Sequence, residues 1–280
     1  MREVFLPRTL EGLWEILGKK PEAAIYAGGT DHLVKVRSGV IDPSCFVCLE
    51  RIEALQGVRD NGEEVFIGPA TTHSQLLDDS LIREHFQVLA KSVSFLASPP
   101  IRHMGTIGGN IVTASPAGDT LPPLYVLGAE VGIGSMDRSR RLPLSSFIRG
   151  PGTVELQQGE VLTGVWVKKA PHWNVHHYEK IGRRKAQACA IASMAAVLEV
   201  SHEGKIEKAR LAWGSVGPTV ITSAAAEQCI TGVRLSLETL RSAVRHVEEA
   251  VSPIDDVRAS ADYRRTVAGA LILRLVECAV

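Results

Sequence analysis

In the stretch "TLEGLWEILG", Leu10, Leu13, Trp14 and Leu17 recur at helical steps, so residues 9–18 predict an amphipathic helix with Thr9 as its N-cap. The apolar run "AAIY" predicts a short buried strand that ends in a glycine pair, and "HLVKVRSG" predicts a helical turn or two stopped by Gly39. "CFVCLERI" and "EVFIGPATT" read as strands. Residues 72–97 predict one helix, capped by Thr72 or Ser74 and ended before Pro99-Pro100. "AEVGIGS" and "VLTGVWVKKA" add further strands.

Past "KKAPHWN" at 168–174 the pattern changes. Three strands are predicted, "HHYEKIGRR", "CAIASMAAVLEV" and "IEKARLAWGSV", the last two joined as a hairpin through "HEGK". Three helices follow, around 221–231, 235–251 and 260–279. In the last, Tyr263, Val267, Ala270, Leu271 and Cys278 are expected on one buried face, with Arg274 interrupting the stripe. Strands followed by helices indicate an α+β domain, a small antiparallel sheet under a three-helix layer. The expected division is 1–172 and 173–280, both within ordinary domain size.

Composition narrows the function classes. With 31 basic and 31 acidic side chains in 280 residues, the chain lacks the positive charge on which non-specific nucleic-acid binding depends. No apolar run approaches the roughly 20 residues of a membrane span. The start, with Glu3, Glu11 and Glu15, does not read as a signal peptide. Five scattered cysteines suit a reducing compartment, so a cytoplasmic location is expected. Cys45 and Cys48 form a CxxC, but within a strand and without a second pair, which reads as packing and leaves no metal centre.

Two glycine pairs carry the candidate chemistry: Ala27, Gly28, Gly29, Thr30 and Asp31, and later Thr106, Ile107, Gly108, Gly109 and Asn110. Neither has Rossmann or P-loop spacing. Each pair can simply make a tight turn. Alternatively, successive amides turned inward form a nest for an anion, and two nests suit a diphosphate. Thr30, Thr106 and Asn110 can donate to phosphate oxygens. Asp31 is expected to cap the "HLVKV" turn, because a carboxylate repels a diphosphate. Asp119, in "ASPAGDTLPP", can accept from sugar hydroxyls or serve as a turn residue.

"IYAGGTD" together with "IRHMGTIGGNIVTASPAGDTLPPLYVLGAEV" resembles the FAD-binding medium subunits of the molybdenum hydroxylases, the xanthine dehydrogenase and aerobic carbon monoxide dehydrogenase family. The likeness continues through "GEVLTGVWV", "YEKIGRR", "LAWGSVGPTV" and "RASADYRRTVAGALILRL". It implies an N-terminal FAD domain of the vanillyl-alcohol oxidase type and a C-terminal flavoprotein domain. It implies that both glycine loops hold the FAD diphosphate, that Asp119 meets the cofactor's sugar chain, that Leu162 lies against the isoalloxazine and that Lys180 sits near the flavin edge. His32 and His103 depart from the family pattern, and the loop "RRKAQACA" has no aromatic to stack on the ring. His172, His176 and His177 are expected to be exposed loop residues rather than metal ligands.

The resemblance further implies a small partner with two [2Fe-2S] clusters and a large molybdopterin subunit, with electrons leaving FAD for NAD+ or another acceptor. A free-standing FAD-dependent NAD(P)H reductase and a flavin-free assembly subunit are the competing expectations.

Overall fold

The computed structural model describes residues 2–170, 172–184 and 187–278. Near the N-terminus, three short parallel strands lie in the order Glu3–Phe5, Cys45–Cys48, Ala24–Tyr26. Cys45–Cys48 is central and every one of its residues is buried, as a parallel strand covered on both faces requires. Its two thiols are free packing groups. The helix Leu10–Lys19 begins where predicted, with the Gly12 amide donating to Thr9 Oγ1 at 3.1 Å, and buries Leu13 and Leu17 against Val47, Ile52 and Leu55. The strand Ala24–Tyr26 delivers the chain into the first glycine loop.

A five-stranded antiparallel sheet follows, ordered Val58–Asp60, Glu64–Ile67, Val161–Lys168, Glu130–Gly134, Ser139–Pro143. Residues 72–97 do not form the single helix expected. They form His73–Asp78, Ser80–His85 and Gln87–Ser94. Asp79 is extended and accepts from the amides of Leu81 and Ile82, so it starts a new helix instead of continuing the old one. Prolines then open two more short helices, Pro99–Met104 and Leu121–Val126, in the first turn where a missing amide is harmless. Between them, Ile107–Thr113 turns the second glycine pair into the start of a helix capped by Thr106.

The C-terminal sheet is antiparallel, with Ile221–Thr222 as a short fourth strand beyond the three expected: Val175–Ile181, Ala192–Val200 and Ile206–Gly214. One face, with Met194, Ala196, Leu198 and Trp213, is covered by Ala224–Ile230, Leu237–Ala250 and Ala261–Ile272. The other, with Tyr178, Ala195, Val197 and Ala212, shares a core with the N-terminal helices Gln87–Ser94 and Leu121–Val126. Both faces are therefore buried, which explains the unbroken apolar run from Met194 to Leu198.

The last helix buries only part of the predicted face: Leu271 is buried, and Val267 and Cys278 pack against the core. Tyr263 is half exposed and Ala270 is exposed, while Arg264, Ala268, Leu271 and Ile272 are buried. Beyond Ile272 the chain tightens into a 3₁₀ segment, Leu273–Cys278, which rotates the stripe; Arg274 stays outside, paired with Glu179 at 3.2 Å and Glu277 at 2.7 Å.

Candidate cofactor site

The two glycine loops meet at one cleft of about 640 Å³, a size typical of small-molecule and cofactor sites. Ala27 to Asp31, Thr106, Gly108, Gly109, Asn110, Asp119 and Leu162 all line it. Ile107 and Lys180 do not: the Ile107 side chain is in the core, and the Lys180 side chain is buried behind Asp119.

The loops touch where Gly28 meets the Met104–Gly105 peptide. A Cβ on Gly28 would overlap the Met104 carbonyl, so only glycine lets the two backbones pass. Gly29 has φ +70°, in the left-handed region. Among the described residues, the amides of Ala27 to Asp31 donate to no protein acceptor, which leaves a row of donors at the cleft. Asp31 does not cap the following helix. Its carboxylate pairs with Lys35 at 2.8 Å and accepts from Thr113 Oγ1 at 3.2 Å, joining the first loop to the helix of the second.

The second loop is not the amide nest that its glycines suggest. The Ile107 amide donates to Thr71 O at 3.0 Å, Gly108 to Pro69 O at 2.8 Å, Gly109 to Thr106 Oγ1 at 3.1 Å and Asn110 to Thr106 O at 3.0 Å. Gly108 is glycine for packing: a Cβ there would lie 2.6 Å from Pro69 O. What this loop offers the cleft is side-chain chemistry. Thr106 keeps a hydroxyl hydrogen to donate, and Asn110 accepts from Thr120 Oγ1 at 2.7 Å through Oδ1, so Nδ2 is its donor.

Asp119 and Lys180 form one buried unit. Lys180 Nζ donates to Asp119 Oδ2 at 2.6 Å and to Phe95 O at 3.1 Å, while Tyr178 OH donates to Oδ1 at 3.0 Å. Burial pushes the Asp119 carboxyl up, and Lys180 and Tyr178 oppose that. Burial, then Asp119, raises the Tyr178 hydroxyl well above its ordinary value, so Tyr178 remains a donor. Each carboxylate oxygen retains a lone pair for a further donor from the cleft. Leu162 forms part of the wall at a register shift between Leu162 and Gly164, just after Glu160, which pairs with Arg140.

Several lining groups carried no sequence signal. His73 is 3% exposed and its side chain is held neutral, with a pKa pushed down to about 4 by burial and then by Arg102. Arg102 donates to Leu96 O at 2.7 Å and Ala97 O at 3.1 Å, securing a turn in which Ala97 has φ +43°. Gln187, Ala188 and Cys189 supply another wall; positions 185 and 186 of the loop "RRKAQACA" lie outside the described residues. His103 is exposed, and the half-buried His32 stacks on Tyr26 at 6.4 Å. His172 is exposed as expected, but His176 and His177 lie on a strand and His177 is buried. Among the described residues no group of three His, Cys, Asp or Glu side chains is placed to hold a metal. No described helix is long and apolar enough to cross a membrane.

Comparison with known proteins fits this geometry. The family described as "FAD binding domain in molybdopterin dehydrogenase" matches residues 1–169, and "CO dehydrogenase flavoprotein C-terminal domain" matches residues 176–279. The xanthine dehydrogenase FAD-binding subunit of Escherichia coli O157:H7 is 30% identical, over 97% of this chain and 94% of that protein. The nicotinate dehydrogenase FAD-subunit of Eubacterium barkeri is 28% identical, over 94% of this chain and 90% of that one. Among solved structures, reconstituted CO dehydrogenase from Oligotropha carboxidovorans superposes with a TM-score of 0.94 at 28% identity, covering 100% of this chain and 97% of that chain.

Proposed function

The chain belongs to the FAD-binding subunits of the molybdenum hydroxylases, the xanthine and CO dehydrogenase family, and on that premise we propose that it holds FAD in the cleft between its glycine loops and relays electrons for a larger complex. The electrons come from the [2Fe-2S] clusters of a small partner, fed by a large molybdopterin subunit, and leave to NAD+ or another acceptor. The unpaired cysteines suit a reducing, cytoplasmic setting for such a complex. Residues 1–172 form the FAD-binding domain and 173–280 the C-terminal flavoprotein domain in this reading.

The observation that carries it is the row of free amides from Ala27 to Asp31, set against the Thr106 hydroxyl and the Asn110 amide across one cleft. When bound, FAD supplies the redox chemistry, and the protein supplies orientation and electrostatics. The first loop and Thr30 bind diphosphate oxygens on one side, Thr106 and Asn110 on the other. Asp119 would accept from a hydroxyl of the sugar chain, held in place by Lys180 and Tyr178. Leu162 packs an apolar surface against the ring. Lys180 thus acts through Asp119, rather than by touching the cofactor.

The test is native purification with neighbouring subunits. One FAD per chain, reduced through the iron–sulfur partner when the large subunit's substrate is supplied, supports the relay. Robust NAD(P)H oxidation by the isolated chain would instead mark a free-standing reductase, and a colourless protein that takes up no FAD would mark an assembly subunit.

A further inference from the structure

The cleft wall formed by Gln187, Ala188 and Cys189 belongs to the loop between strands Val175–Ile181 and Ala192–Val200, whose base is closed by the Ile191 amide on Ile181 O at 2.7 Å. Immediately after those lining residues, the carbonyls of Ala190 and Ile191 are held from behind. Arg258 Nη1 reaches Ala190 O at 3.5 Å, and Arg264 Nη1 donates to Ile191 O at 3.0 Å and to Ser215 O at 2.9 Å. On the outgoing leg of the loop, Arg183 Nη1 donates to Val257 O at 3.2 Å.

Arg258 and Arg264 converge on one carboxylate. Asp256 Oδ1 accepts from Arg264 Nη2 at 2.6 Å, and Oδ2 accepts from Arg258 Nε at 3.0 Å and Nη2 at 2.7 Å. Arg264 is 2% exposed, and Asp256 compensates its buried charge. The network also reaches the facing wall: the amide of Ser215, a residue with φ +64°, donates to Pro116 O at 2.8 Å, beside Ser115 and Ala117 of the cleft. Arg258 and Arg264 belong to the "RASADYRR" motif, which the cofactor contacts leave without a task, and Asp256 lies two residues before it.

We propose that Asp256 is a positioning residue: through Arg258 and Arg264 it fixes the 187–189 wall of the cleft and so sets that wall against the bound cofactor. A loop wall has no sheet ladder of its own, and charge-assisted donors to consecutive carbonyls replace one. The part of this inference that concerns FAD rests on the proposed function; the part that concerns the wall does not.

Full-length Asp256→Asn and Arg258→Gln proteins test it. Arg258→Gln leaves Arg264 paired, so it remains informative if Asp256→Asn folds poorly. On cofactor-free protein, trypsin cleavage after Arg183 or Arg184, identified by fragment mass, rises about tenfold in Asp256→Asn and about threefold in Arg258→Gln, with local opening governing the rate. The buried Cys45 and Cys48 stay unreactive to a thiol reagent in both. Titration with FAD then shows affinity weakened at least about fivefold, which is ~1 kcal/mol. Wild-type cleavage rates in both variants overturn the clamp, as does reactivity of Cys45 and Cys48 rising in step with cleavage, which marks global loosening. Faster cleavage with unchanged FAD affinity overturns the wall's bearing on the cofactor. Failure of the wild-type chain to take up FAD overturns the proposed function, while the proteolysis still decides the clamp.

Discussion

Lys180 donates to Asp119 at 2.6 Å across 61 positions of sequence, and both side chains are about nine-tenths buried. The strand Val175–Ile181 thereby braces a cleft residue of the N-terminal part and opposes the burial that pushes its carboxyl up. Lys180→Met leaves the Asp119 carboxylate buried and without its cation, and costs about 3–5 kcal/mol of stability. Asp119→Asn in the same chain recovers part of that, with a coupling of about 1–3 kcal/mol in a double-mutant cycle read by urea unfolding.

The glycine pair of the second loop separates packing from binding. Gly108→Val drives its side chain into Pro69 and destabilises the fold by about 2 kcal/mol or more, so lost FAD there accompanies lost structure. Gly109 is exposed at the cleft, and a Cβ there meets only Thr106 Oγ1, at 3.0 Å. Gly109→Ala therefore keeps stability within about 1 kcal/mol and weakens FAD about tenfold. Thermal melts and fluorescence titration of the two variants check the split.

His73 makes stability depend on pH. Its folded-state pKa, about 4, lies below the ordinary 6.5, so the unfolded chain takes up a proton between those values and the native one does not. The contribution is complete above about pH 6.5 and is lost as pH falls toward 4. Between pH 7 and pH 5 it amounts to about 2 kcal/mol. Urea titrations at both pH values show that slope, and His73→Asn reduces it by about this amount.

Much of the fold is written in local patterns. Thr9 caps its helix, the hairpin through "HEGK" forms, and "CFVC" packs as a buried strand. The first break in 72–97 turns on Asp79, whose competing cap the apolar periodicity does not reveal, and the second falls at Phe86, whose backbone leaves the helical region. At the site, the glycine–threonine pairs identify the loops, but not which amides stay free. That is decided by the carbonyls of Pro69 and Thr71, which reach the second loop and not the first. The Asp119–Lys180 pair, the neutral His73 and the buried Arg264 all depend on partners distant in sequence. Arg264 also breaks an apolar stripe, so periodicity found Val267 and Leu271 of the last helix but not the buried side with Arg264 and Ala268.

A structure of the FAD-loaded chain is the most direct test of the central claim. Diphosphate oxygens are expected within about 3 Å of the amides between Gly28 and Asp31 and of Thr106 Oγ1 and Asn110 Nδ2, with the Ile107 and Gly108 amides still bound to Thr71 and Pro69. A diphosphate lodged away from the first loop, or the Ile107 and Gly108 amides turned toward it, would contradict that account.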